Sequence, residues 1–187
     1  HGSFFKSKKA NTWTGRCLSL LTITPYDFWR RAHNTHHAAS GNLDHRGIGG
    51  IDTLTVREYQ ALSKKRQMAY RLYRNPLFLL CVGTPFYILI AQRIPFSQPT
   101  KFHENYKTLS AKSVWKSIML TNLALVVFYG AIAMAIGIVP LLAIYLPTVI
   151  LTTWIGGWLF FIQHQFEDTL WERSEKWDRR EAALMGS

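Results

Sequence analysis

Between Ser117 and Phe166 the chain carries no Lys, Arg, Asp or Glu, and this run constrains the fold more than any other feature. A charge-free stretch of such length exceeds any single core helix, but it accommodates two consecutive membrane spans of about 20 residues each. Gly137, Pro140 and Pro147 punctuate it. The pattern predicts a helical hairpin turning near Gly137–Pro140, with a first span over 117–136 and a second over 141–161. Gly130, Ala131, Ala133 and Ala135 offer small surfaces for close helix approach, and Trp154, Trp158, Phe160 and Phe161 form an interfacial aromatic group toward the end of the second span. A third apolar stretch, Leu77–Gln92, is about 24 Å long as a helix, short of the roughly 30 Å hydrocarbon core, and Pro85 interrupts it. It is expected to be re-entrant or interfacial. The expected fold is therefore all-α: a fragment of an integral membrane helical bundle, one domain over residues 1–187, with a His-rich helical cap on its cytoplasmic side.

The side follows from charge. The hairpin turn is uncharged, whereas Lys and Arg fill the flanking segments: Lys6 to Arg16, Arg57 to Arg74, Lys112 and Lys116, and Arg173 to Arg180. The positive-inside rule assigns these flanks to the cytoplasm, so the net charge of +11 reflects topology first. Tyr59, Tyr70 and Tyr73 interleave with the basic residues of 57–74, a pattern also found in nucleic-acid binders. No recognition motif accompanies it and the segment runs directly into apolar sequence, so a polybasic surface on anionic lipid accounts for it with less, and no nucleic-acid partner is expected. Docking of an acidic electron-transfer protein is a compatible second use. Cys17 and Cys81 stand alone and have no metal-type spacing. The chain opens on His1 with no initiating Met or signal pattern, and reads as an internal piece of a longer protein.

His33, His36 and His37 fall at i, i+3 and i+4 of a predicted helix, so their imidazoles share one face and converge at metal-ligand spacing. Thr24 is a suitable N-cap, Pro25 suits the first helical position and Asp27 complements the helix dipole, while Gly41 and Asn42 are plausible terminators. From spacing alone, a solvated polar patch and a three-ligand zinc site stay open as readings. Asn42 and Asp44 lie close enough in sequence to orient ligand imidazoles. His164 follows the second span, and two crossings between it and the cluster bring it back to the same side. His45 and His103, in a loop and a polar connector, read as solvated, and His1 has no upstream context.

The residues resemble the membrane-bound fatty acid desaturases, in particular bacterial acyl-lipid enzymes of the delta-12 (omega-6) type, over essentially the whole chain. Residues 29–44, from Trp29-Arg30-Arg31-Ala32-His33 through His36-His37 to Asn42-Leu43-Asp44, are similar to the family's second histidine box, and His1-Gly2-Ser3-Phe4-Phe5 resembles the end of its first. Ile51–Tyr59 and Gln163–Trp171 resemble further stretches of the same subgroup. The start of the first box and the whole third box fall outside this sequence.

The resemblance implies a di-iron enzyme. Its ligands here would be His1, His33, His36, His37 and His164, an incomplete set, so this chain alone is expected to be inactive. Asn42, Asp44 and Asp52 would orient the imidazoles. The reaction removes hydrogen from an unactivated methylene, which no side-chain acid or base can ionise, so a redox metal is required, and imidazole suits iron. In the family scheme, electrons from ferredoxin or a cytochrome-type donor reduce two iron ions, O2 is consumed, and a cis double bond is introduced into a fatty acyl chain of membrane lipid. An acyl or alkane hydroxylase, a single-zinc membrane hydrolase and a membrane binding module are the competing readings.

Overall fold

The computed structural model describes residues 4–46, 49–95, 111–164 and 166–185, and among these every regular element is helical. His1 and His103 lie outside the described residues. The two long helices are α7 (Ala111–Ile136) and α8 (Ile138–His164), separated by Gly137 alone. Gly137 has φ +89°, a left-handed conformation that reverses the chain without side-chain strain. Both helices are apolar and long enough to cross a membrane, about 39 and 40 Å at 1.5 Å per residue. Both extend beyond the predicted spans at their outer ends, and α8 also starts within the predicted turn, so that only Gly137 is left outside the two helices. Trp154 and Trp158 are exposed on α8, where they would meet lipid rather than protein.

Helix α1 (Lys8–Leu21) and helix α2 (Tyr26–Ala38) form a second hairpin against α7. Arg16 pairs with Asp27 at 2.9 Å across it. Helix α2 starts one residue later than its expected cap: Pro25 occupies the N-cap position, and the Thr24 hydroxyl donates to the Thr22 carbonyl instead. Phe28, Ala32, Val114 and Ile118 make the buried core between α2 and α7, and the Phe28 N–H donates to Ser117 Oγ at 3.0 Å. One turn further on, Arg31 Nη1 donates to Ser113 Oγ at 3.0 Å. Residue numbers rise on α2 as they fall on α7, so the two helices are antiparallel. The Gly137 turn makes α8 antiparallel to α7 as well. Helices α2 and α8 therefore run in the same direction, and their C-terminal ends meet.

The far end of α1 is held by hydroxyls. Its last carbonyls have no partner within the helix, and Tyr129 Oη donates to the Leu20 carbonyl and Tyr145 Oη to that of Leu21, both at 2.9 Å. Arg93 donates to the Ile23 carbonyl and, at 3.1 Å, to Asn122 Oδ1, while Asn122 Nδ2 returns a bond to the Arg93 carbonyl.

Between these hairpins come α3 (Val56–Ala61), α4 (Lys64–Arg74) and a continuous helical run, Pro76–Arg93. The run comprises α5 (Pro76–Phe78), a π-turn (Leu79–Gly83), α6 (Thr84–Leu89) and a 3-10 turn (Ala91–Arg93). It extends the predicted apolar stretch at both ends, and at about 27 Å it too is long and apolar enough to cross a membrane. Pro85 causes no break: it lies just after the π-turn, at the start of α6, and the helical backbone continues through it. A final helix, α9 (Arg179–Met185), follows a loop that returns to the end of α2.

Candidate metal centre

Parallel α2 and α8 bring His36 and His164 together: their Nε2 atoms are 3.3 Å apart. The His33 and His37 rings lie edge to face at 4.4 Å between centroids, His36 and His37 at 5.5 Å, and His37 and His164 at 6.5 Å. The three-residue cluster thus does share a helical face, and that face is turned toward His164. Each half of the site has an aromatic support four residues upstream. Trp29 stacks on His33 at 4.6 Å, and Phe160 packs against His164 at 4.6 Å and against His36 at 6.0 Å. The i, i+4 spacing of Trp29–His33 and Phe160–His164 is a sequence signal for these contacts that the aromatic-belt reading of Phe160 missed.

The cluster is electrostatically one-sided. Desolvation lowers the His36 pKa from its ordinary value to about 3, with His164, His37 and His33 adding repulsion. His33 is lowered by burial and by its neighbours His37 and His164. Neutral imidazoles with free lone pairs are the form that binds metal. Two nitrogens bound to one metal at about 2.1 Å lie roughly 3.0–3.4 Å apart, so the His36–His164 pair has the spacing of adjacent ligands. Among the described residues, no three donors converge on one point. The pair fits a metal; a complete coordination sphere needs donors beyond it.

Two features hold the pair. The first is a clasp between the segments that follow α2 and α8. The Leu43 N–H donates to the Glu172 carbonyl and the Glu172 N–H to that of Gly41, both at 2.9 Å. Buried Asn42 accepts from Ser174 Oγ at 3.3 Å, and Asp44 accepts from Arg173 Nη1 at 2.6 Å and from the Ser174 N–H at 2.9 Å. The Ser174 N–H and then Arg173 hold the Asp44 carboxyl below its usual range. Trp177 Nε1 donates to the Ser40 carbonyl. Asn42 and Asp44 therefore act on the two helix ends, by tying the chain after His37 to the chain after His164.

The second feature is a strap, residues 49–54. A Cβ at Gly50 would lie 3.1 Å from both Nδ1 and Cε1 of His36, so only glycine lets the backbone approach this edge of the imidazole unhindered. Two residues on, the Asp52 N–H donates to Tyr73 Oη at 3.0 Å, and the Leu54 N–H to Tyr70 Oη at 2.9 Å. Asp52 is buried, which raises its carboxyl pKa to about 7 against the pull of Arg46 and Arg74. Among the described residues its Oδ1 has no hydrogen-bond partner, nor do Nε and Nη1 of the buried Arg46 side chain, whose Nη2 pairs with Glu58. Asp52 thus stands behind the strap, two residues from the glycine that touches His36. Neither the glycine contact nor the tyrosine anchors were legible in the motif. His45 is exposed, as expected of a loop residue.

A bundle of apolar helices of membrane-crossing length, with four histidines gathered at one end, defines the class: a histidine-rich helical membrane protein. The family follows from comparison. The fatty acid desaturase family model matches residues 1–186, and the chain belongs to that family. It is 40% identical over its whole length to a fatty acid desaturase of Bacillus subtilis, covering 50% of that protein. It is 28% identical to an sn-1 acyl-lipid omega-3 desaturase (ferredoxin) of Synechocystis sp., with 98% of this chain and 49% of the relative aligned. A Delta(12) fatty acid desaturase of Mortierella isabellina is 24% identical, with 98% and 50% aligned. The chain spans about half the length of the curated relatives it matches. No solved structure matches it.

Proposed function

We propose that this chain forms part of an oxygen-dependent fatty acyl desaturase that holds two iron ions and introduces a cis double bond into an acyl chain of membrane lipid. The observation that carries the reading is the 3.3 Å approach of His36 and His164 within a cluster of four imidazoles. His33, His36, His37 and His164 would serve as ligands, with His1 and donors beyond this chain completing the set. Iron, when bound, supplies the redox capacity for breaking an unactivated C–H bond, which protein side chains lack.

The chain's own residues present neutral nitrogens, exclude water and fix ring orientation. Trp29 and Phe160 cover the flanks of the imidazoles and lower the local dielectric. Asn42 and Asp44 hold the two ligand-bearing helix ends together, and Asp52 positions the strap behind His36. An acyl chain would enter laterally from the bilayer between the apolar helices. Electrons come from ferredoxin or a cytochrome-type donor, a reading supported by the ferredoxin named for the Synechocystis relative.

The ligand contact also bears on topology. His36 and His164 share a side only if an even number of crossings separates them, and α7 and α8 supply two. We therefore read 77–92 as re-entrant. In support, Arg93 bonds to Asn122, which lies about 22 Å short of Gly137 along α7, so the run ends well before the turn. The uncharged turn faces out and the histidines face the cytoplasm of a bacterial cell.

The test uses the full-length protein, purified for elemental analysis and expressed in a host whose acyl profile is then measured. About two irons per chain and new unsaturated acyl chains are expected, with both lost in His36→Ala. One zinc per chain and an unchanged acyl profile would overturn the proposal.

A further inference from the structure

Helix α4 divides its faces sharply. Tyr70 and Tyr73 point inward and hold the strap. On the opposite side Met68 and Leu72 are exposed, Met68 at 72%, although both are large apolar residues. Lys64, Met68 and Leu72 follow one another at i, i+4 and i+8, and Lys65 and Arg71 flank them, so the outer face is an apolar ridge bordered by cations on both sides. Helix α4 contains no acidic residue, and Lys64 and Lys65 make no ion pair among the described residues.

The ridge does not stop with the helix. Leu77, Val82, Phe86 and Ile90 are exposed along the apolar run that follows. Their spacing widens to five residues at 77–82 and 82–86 returns to four. The π-turn at Leu79–Gly83 inserts the extra residue that a five-residue step needs to stay on one face. An exposed apolar stripe thus follows α4 directly in the chain. Water is a poor solvent for such a ridge, and an aliphatic environment beneath a layer of negative charge satisfies both the ridge and its border: long Lys and Arg side chains reach up to headgroups while their stems cover apolar surface.

We propose that the outer face of α4 is a docking surface for anionic phospholipid, with Met68 and Leu72 seated at the acyl boundary and Lys64, Lys65 and Arg71 on headgroup phosphates. An acidic redox protein would find cations here but no use for the ridge, and no partner side chain is required to cover it. The proposal is independent of the iron chemistry.

The experiment places the full-length protein, with its cysteines replaced by serine, in lipid nanodiscs and attaches an environment-sensitive fluorophore to Met68→Cys. Quenching by brominated acyl chains reports contact with the bilayer. Quenching is expected to be about twofold stronger in discs containing phosphatidylglycerol than in discs of phosphatidylcholine alone, since an anionic surface draws the cations and the ridge between them toward the bilayer. A label at Gln60→Cys, on α3, should stay unquenched. Replacing Lys64 and Lys65 by Glu should bring the phosphatidylglycerol value down to the phosphatidylcholine value. Should that variant fail to insert, raising the salt on the unreversed protein to about 0.5 M must do the same. Absence of quenching in both lipids overturns the proposal. So does a label that is quenched by aqueous iodide until acidic ferredoxin is added, which would make the face a protein-docking surface.

Discussion

Two polar clusters sit at the ends of one short strap, and burial has opposite consequences in them. On the Gly50 side, His33, His36, His37 and His164 are alike, and each proton added to one repels the next. The fold keeps His36 neutral down to about pH 3. On the Asp52 side, Arg46, Glu58, Asp52 and Arg74 carry both signs, yet desolvation still prevails at Asp52 and lifts its carboxyl to about 7. The mixed cluster holds opposite charges within itself, with Arg46 paired to Glu58. The uniform one has lone pairs and no internal partner of opposite charge, so what it lacks is a cation from outside. The contrast separates a cluster that braces the fold from one that is arranged to take a ligand.

The pH dependence of stability should expose this difference most strongly. For His36 the folded pKa lies below the unfolded one, so its contribution is present above about pH 6.5 and is lost as pH falls toward 3. For Asp52 the folded pKa lies above the unfolded one, so its contribution is present below about pH 4 and is lost as pH rises through 7. At about 1.4 kcal/mol per pK unit, each is worth up to a few kcal/mol, the histidine figure being shared by the coupled cluster. In metal-free full-length protein in detergent the two contributions therefore oppose each other between about pH 4 and 6.5 and flatten thermal stability across that range. Asp52→Asn should remove the part that falls with rising pH, so that stability of the variant climbs steeply from about pH 3 to 6.5. A variant with the parent's flat profile would show that Asp52 is ionised at no cost.

Gly50→Ala tests whether the strap acts on the ligand cluster or only on packing. The added methyl would press on the His36 ring at 3.1 Å, and the ring or the strap must yield by a few tenths of an ångström. Groups that orient a ligand imidazole typically govern metal affinity by 10–100-fold. We expect a loss in that range, with a changed visible absorption spectrum for bound Co2+. A variant of lower stability that binds Co2+ with the parental spectrum would confine Gly50 to packing.

Much of the architecture was legible because its causes are local. The charge-free run announces α7 and α8, and three histidines at i, i+3 and i+4 announce a ligand face wherever α2 lies. The approach of His164 was inferred from the parity of crossings, and the 3.3 Å contact agrees with it. What sequence did not disclose depends on approach between distant segments. Asn42 and Asp44 were read as neighbours of the imidazoles because they follow them closely, but their hydrogen bonds run to Ser174 and Arg173, more than a hundred residues away. Gly50 looks like any loop glycine until the His36 ring is set beside it. The N-cap was placed at Thr24 by residue preference, whereas the chain turns one residue later, after Ile23 adopts φ +45°. The hydroxyls that cap α1 come from Tyr129 and Tyr145, which in sequence are simply polar interruptions of an apolar run.

The finest distinction concerns Tyr73, which belongs to both α4 and the strap. Tyr73→Phe keeps the ring in place and removes only the oxygen that accepts from the Asp52 N–H. Such a bond is worth about 1 kcal/mol when its partner finds water, and up to roughly 3 when the partner stays buried. The half-buried surroundings of Tyr73 and burial of Asp52 favour the upper part of that range. A fall in unfolding temperature of several degrees is therefore expected. The more telling readout is the pH at which Asp52 titrates. Tyr73 itself is pushed up to about 12, mainly by burial and next by the nearby Asp52 charge. If the strap is anchored through this oxygen, its loss lets water reach Asp52, so the Asp52 titration moves below pH 7 toward the ordinary carboxylate range and the fall in stability with rising pH shrinks. An unmoved decline with an unmoved Co2+ spectrum would mean that Tyr70 and the Arg46–Glu58 pair hold the strap without it, and that the two clusters are joined by packing rather than by the hydrogen bond.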